Sequence, residues 1–291
     1  MVAIGSIAIV RQRAELLGAI LRELGLEVVK KIEEHDPQFR AVTRVCRCVG
    51  GLAPLLSSLN ALVSYMLNCR GEEYWHEYAQ WACEHAEVLR GEELPAPLLV
   101  DFLRSSRCNR RLLNAKIRRL KQLASCNELA KYLDYRAFTK NPVRFAADMA
   151  KCLRSRVYSK TVLFSVKMYY YGVRACRYAD PVLPASLPIP VDSRVFRVAV
   201  ASGIVRLRGE IDFGAYGVRV AVQRAWNIVA SMSSIPPLHL DAVIWLVGGG
   251  CSAVGDALNL LMQAAPEKES VHKRLIEELC RYGAEQSYSS R

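Results

Sequence analysis

The chain has 291 residues, 52% of them hydrophobic, which is enough for a sizeable core in one large domain or two smaller ones and argues against general disorder. Lysine and arginine number 40 against 28 acids, and the resulting net charge of +12 suits a phosphate-rich partner. The longest apolar window, residues 242–255, holds 14 residues where a bilayer-spanning helix needs roughly 20, and no basic residue precedes the short apolar run at the N-terminus; the expectation is a soluble cytoplasmic protein with no membrane partner.

Along the chain, apolar residues recur at spacings of three and four, and alternating strand patterns are scarce, so the expected fold class is all-α. The first such run is ELLGAILRELGLEVV. Asp36 before Pro37 then writes a helix start, with Gln38 in its first turn. PLLSSLNALVSYML follows, and Trp75 comes after Glu72 and Glu73 as a partly exposed amphipathic ring. Prolines in LPAPLL break the next helix. The densest basic group, RCNRRLLNAKIRRLKQL at 107–123, reads equally as a solvated helix face or a backbone-binding one. Asn141 before Pro142 marks another helix start.

AKCLRSRVYSK, 150–160, is a short basic connection ending at Lys160, the front of an apolar helix that also carries Phe164 and Lys167. At spacings of four and three, one helical face can present all three. The proline-rich DPVLPASLPIP leads to Asp192, whose position ahead of SRVFRVAVA predicts an N-cap. RLRGEIDFGAYG, 206–217, reads as a surface connection. IPPLHL precedes a helix with Asp241 and Trp245 four residues apart, and GGGC at 248–251 reads as a helix end or a close helix crossing. The final GAEQSYSSR is polar and is expected to fray.

Ten cysteines are scattered from Cys46 to Cys280 with no CxxC pair, so neither a zinc site nor an iron-sulfur loop is expected. Buried thiols are the expected state, with disulfides left open for a hyperthermophilic host. His85-Ala86-Glu87 begins like a zinc deaminase motif, but no P-C-x-x-C follows. Chemistry concentrates instead between Arg154 and Trp245. A helix N-terminus disfavours a cation, and Arg154 and Arg156 add like charge near Lys160; both effects favour the neutral amine that a nucleophile needs. A capped Asp192 would stay ionised in a fixed rotamer, which suits stabilisation of developing positive charge.

The runs HDPQFRAV, GEEYW, SKTVLFSVK, LPIPVDSRV and IPPLHLDAVIWLVG, in that order, resemble the archaeal GO glycosylase family over roughly residues 20 to 260. These are 8-oxoguanine DNA glycosylase/lyases, a divergent branch of the helix-hairpin-helix glycosylases. The resemblance implies a two-lobed fold with an interlobe active site, a monomer acting on damaged DNA, single- or double-stranded, in an archaeal cytoplasm, and no metal or other cofactor. It implies Lys160 as the nucleophile that forms a Schiff base and Asp192 as its partner. Phe164 and Trp245 match the family's base-stacking aromatics, while Gln38, Trp75, Lys167 and Asp241 match residues around the base's edges. Lys151, Arg154 and Arg156 are expected on the DNA backbone. The expected lobes are 1–70 with 192–291, and 71–191. Two alternatives stay open: a glycosylase for another damaged base, and a non-catalytic helical DNA-binding module. One departure stands out, since the superfamily hairpin carries a glycine-rich turn and residues 150–160 contain no glycine.

Overall fold

Helices fill the computed structural model, which describes residues 6–90, 95–209, 211–251 and 253–282. In chain order the elements are β1 (Ser6–Ile9), α1 (Arg11–Leu24), α2 (Leu26–Glu34), α3 (Pro37–Val49), α4 (Ala53–Ala61), α5 (Gly71–Glu84), α6 (Ala86–Arg90), α7 (Ala96–Ser105) and α8 (Leu113–Ala124). Then come α9 (Tyr135–Lys140), α10 (Pro142–Cys152), α11 (Lys160–Ala175), α12 (Ser193–Ala201), β2 (Val205–Arg208), α13 (Tyr216–Ser233), α14 (Pro237–Leu246), α15 (Val254–Ala264) and α16 (Glu269–Cys280). The all-α expectation holds, with one small exception. RLR, expected to be loop, is strand β2, which pairs antiparallel with β1 from Ser6 opposite Arg208 to Ile9 opposite Val205. Its partner lies some 200 positions away, so no local pattern could announce it. The terminal GAEQSYSSR, expected to fray, lies outside the described residues.

Two compact units form. One takes residues 37–184; the other takes those up to Asp36 together with those from Ala185 onward. The expected first boundary at 70 therefore moves to 36, because α3 and α4 pack on α11 within the middle unit. There α11 is the central helix, buried along nearly its whole length from Val162 to Val173. It crosses α4 so closely that a Cβ added at Gly172 would sit 2.4 Å from Pro54 Cα. No side chain fits that crossing.

In the other unit α1 packs along α13, with Trp226 fully buried, and α14 packs on α2, where the buried His239 Nδ1 and Glu33 Oε1 lie 2.8 Å apart. At the GGGC run a Cβ on Gly248 would meet Val198 Cγ1 at 2.7 Å, so the glycine permits the close approach of α12. Among the described residues no single helix is long and apolar enough to cross a membrane.

The expected free thiols are absent: all ten cysteines pair, as Cys46–Cys176, Cys48–Cys83, Cys69–Cys108, Cys126–Cys152 and Cys251–Cys280. Helix packing brings together residues 26 to 130 positions apart. Such pairings leave no trace in local spacing.

Candidate active site

Lys160 is the first residue of α11, with its side chain exposed. One turn on, the half-buried Phe164 meets Trp75 of α5 edge to face, ring centroids 6.0 Å apart. Trp75 is only 1% exposed, not the half-exposed ring its acidic neighbours suggest, because Tyr78 and Tyr74 close around it at 5.4 and 6.2 Å. Burial pushes the Tyr74 and Tyr78 hydroxyls far above the usual phenol range. Lys167 is buried, its ammonium 5.0 Å from the centre of the Tyr171 ring. Phe39 meets the same tyrosine at 5.1 Å, and the half-buried Gln38 precedes it in the first turn of α3. In the middle unit Phe164 and Lys167 thus lie on the helix that begins with Lys160, and Trp75 packs against Phe164.

The hairpin that delivers Lys160 explains its missing glycine. At the end of α10 Arg154 adopts φ +48°, its N–H bonding Lys151 O and the Ser155 N–H reaching back to Ala150 O at 2.9 Å. That is the left-handed helix stop usually built on glycine, here filled by arginine. Arg156 is exposed, and so is Lys151, but Lys151 is engaged by Glu128 at 2.5 Å. This ion pair holds the Glu128 carboxyl below its usual range.

Residues from Leu187 to Val191 are buried, and Gln223 Nε2 donates to Ile189 O at 3.1 Å. At the end of this anchored approach Asp192 caps α12, its Oδ1 accepting from the Val195 N–H at 2.8 Å. Oδ2 makes no hydrogen bond to any described residue. On α14 Asp241 is buried, and Trp245 is half-buried with the Arg194 guanidinium 3.7 Å from its ring centre. Arg194 also donates to Trp245 O at 3.2 Å, so one arginine touches both the ring and the backbone of Trp245.

Three features escaped the sequence. Met66, Leu112 and Tyr158 are exposed large apolar residues, and the first two hold left-handed backbone at φ +50° and +56°. Their loops are laced together by the Cys69–Cys108 disulfide and by Asn68 Oδ1, which accepts from the N–H groups of Arg110 and Arg111. Lys116, in the basic run expected to be either a solvated or a backbone-binding face, is completely buried. Arg119 Nη2 donates to Thr161 Oγ1 at 2.8 Å, next to Lys160. Each depends on loops meeting in space; only the repeated bulky apolar residues among arginines hinted at a surface role.

Two groups of side chains come close enough to share a metal, Cys69, Glu73 and Cys108, and Cys126, Glu128 and Cys152, but in both the sulfurs are already joined to each other. An exposed amine at a helix start suits attack on an electron-poor carbon, and aromatic faces beside polar groups suit a flat heterocycle. These features suit a class of enzyme that acts on the glycosidic bonds of nucleic acid. Residues 18–283 match the family model described as AGOG: N-glycosylase/DNA lyase. The chain belongs to that family.

Relatives named N-glycosylase/DNA lyase include those of Pyrobaculum aerophilum, 33% identical with 78% of this chain and 83% of the relative covered, and Aeropyrum pernix, 34% identical with 81% and 83% covered. That of Methanopyrus kandleri is 32% identical, with 85% and 93% covered. A crystal structure of the Pyrobaculum aerophilum 8-oxoguanine DNA glycosylase complexed with 8-oxoguanosine superposes with a TM-score of 0.72 at 28% identity, covering 92% of this chain and 96% of that one.

Proposed function

We propose that this enzyme excises 8-oxoguanine from DNA and then cleaves the strand at the resulting site. The Lys160 amine attacks C1′ of the lesion nucleotide, the glycosidic bond breaks and the oxidised base leaves. The amine loses its proton as the sugar ring opens to an imine. Loss of a C2′ proton then expels the 3′ phosphate by β-elimination. Asp192 stabilises the positive charge that develops on the sugar and accepts the amine proton. The chemistry needs no metal or redox cofactor.

The observation that carries this reading is the exposed amine of Lys160 on the same helical face as Phe164, with Trp75 against that ring. Phe164 and Trp245 are assigned to the faces of the flipped base; Gln38, Trp75, Lys167 and Asp241 are assigned to its edges. Arg154 and Arg156 are assigned to the DNA backbone, and Lys151 joins them only if its ion pair with Glu128 opens. Flipping a base leaves a gap in the duplex, which apolar side chains fill in many proteins that open DNA. Leu112 and Met66, exposed beside Arg110 and Arg111, suit that task. The protein acts as a monomer on single- or double-stranded DNA.

The test is borohydride trapping on duplexes carrying 8-oxoguanine, uracil or an adenine mispair. A covalent complex on the 8-oxoguanine duplex that disappears in Lys160→Gln is expected. Trapping that persists in Lys160→Gln, or that occurs only on another lesion, would overturn the assignment. Leu112→Ala should slow excision from duplex DNA about ten-fold and leave single-strand excision within about two-fold, since a single strand has no stack to fill.

A further inference from the structure

We propose that Arg119 is a positioning residue for the nucleophile, a proposal that rests on Lys160 being that nucleophile. Helix α11 starts without the usual support. Its N-cap, Ser159, makes no side-chain capping bond, the buried Ser159 Oγ has no hydrogen-bond partner among the described residues, and the first turn holds no acid. The starts of α10 and α12, by contrast, are capped by Asn141 and Asp192. What grips the first turn of α11 is the Arg119 guanidinium, bonded to Thr161 Oγ1 at 2.8 Å, one residue after Lys160.

Arg119 is itself held. Its guanidinium lies 5.9 Å from the centre of the Tyr65 ring, and Lys116, one turn earlier on α8, places its ammonium 4.7 Å from the same centre. Lys116 donates to Asn109 Oδ1, and Asn109 Nδ2 donates to Val63 O at 3.1 Å and reaches the Tyr74 hydroxyl at 3.2 Å. Tyr74 precedes Trp75, so one polar thread ties the start of the nucleophile's helix to the aromatic cluster. Neither Lys116 nor Arg119 has a carboxylate partner among the described residues.

A cation at a helix N-terminus opposes the helix dipole, where an aspartate or glutamate would stabilise the helix. An acid here, however, would also pair with the Lys160 ammonium and hold its proton. Arginine fixes Thr161 by donating and offers the lysine no anion. Its planar fork, within cation–π range of the Tyr65 ring, gives the bond a defined direction that a flexible ammonium lacks. The first turn is thereby fixed while the amine stays free to react.

The experiment is single-turnover borohydride trapping on 8-oxoguanine DNA with enzyme in excess, run alongside DNA-affinity and melting measurements. The variants are Arg119→Met, Arg119→Lys, Thr161→Val and the Met/Val double. At saturating enzyme the trapping rate of Arg119→Met should fall on the order of ten-fold or more, since small displacements of a reacting group cost this much, while Kd stays within about two-fold. Thr161→Val should reproduce most of the loss, the double should be no worse than Arg119→Met, and Arg119→Lys should recover part of it. An unchanged saturated rate with weakened binding makes Arg119 a phosphate contact and overturns the proposal, as do losses that multiply in the double. Should Arg119→Met fail to fold, the nearly isosteric Thr161→Val decides alone. If the wild type traps nothing, it is the assignment of Lys160 that falls first.

Discussion

Asp192 gives one oxygen to the Val195 N–H, and the other bonds no described residue, so capping and the proposed catalytic role can be separated by chemistry. Asparagine caps a helix as well as aspartate does, but it carries no charge. Asp192→Asn should therefore melt within a degree or two of the wild type while its trapping rate drops about 100-fold, a loss typical of one missing electrostatic or acid-base group. Asp192→Ala should lose the cap as well, costing about 1 kcal/mol of stability in a denaturant titration. Lys116 makes a pH prediction. Burial lowers it from its ordinary 10.5 to about 8, so the folded state resists a charge that the unfolded chain accepts. Between those values the unfolded state binds more protons, and stability rises with pH; below about 8 the penalty is present in full. Between pH 7 and pH 10 the wild type should gain on the order of 2–3 kcal/mol relative to Lys116→Met in chemical denaturation, the buried tyrosines contributing equally to both. The cap at Asp192 was legible because capping is local and leaves a proline-flanked signature. The burial of Lys116 was not, because its partners come from segments that no helical pattern connects.

At the scale of elements, helix starts and apolar faces could be read from spacing and caps, and α3, α10, α11 and α12 begin where those signals put them. Helix stops were harder. A glycine-free hairpin offers no marker, and the structure shows why: Arg154 accepts the left-handed turn that glycine would take without cost. That conformation costs a non-glycine residue about 1 kcal/mol, so Arg154→Gly should stabilise the fold by roughly that amount. If the guanidinium meets a phosphate, the same variant binds DNA more weakly and with a shallower salt dependence, the slope falling by about one. A stabilised variant with unchanged salt dependence would remove Arg154 from the DNA contacts. The strand at Val205–Arg208 lay beyond local reading because a two-stranded ladder is fixed by its distant partner.

At the scale of the whole chain, the charge of +12 and the helical class were visible in composition and periodicity, whereas unit boundaries and sulfur pairing were not. Cysteine spacing says nothing when pairs come from different helices. The Cys46–Cys176 bond spans 130 positions, and in the chain-entropy account a crosslink of that reach is worth on the order of 4–5 kcal/mol against the unfolded state. Four of the five disulfides lie within residues 37–184, the unit that holds Lys160. Full reduction, followed by alkylation, should lower the melting temperature by well over ten degrees. Cys46→Ser/Cys176→Ser should show the largest share of that loss of any single pair, because its loop is the longest.

The same bond has a topological consequence. With Cys46 joined to Cys176 the intervening chain is a closed covalent ring, and Lys160, Phe164, Lys167 and Trp75 all sit on it. One backbone cut anywhere on the ring opens it without creating a second molecule. The pieces migrate together on a denaturing gel until reductant is added, and only then separate into two bands.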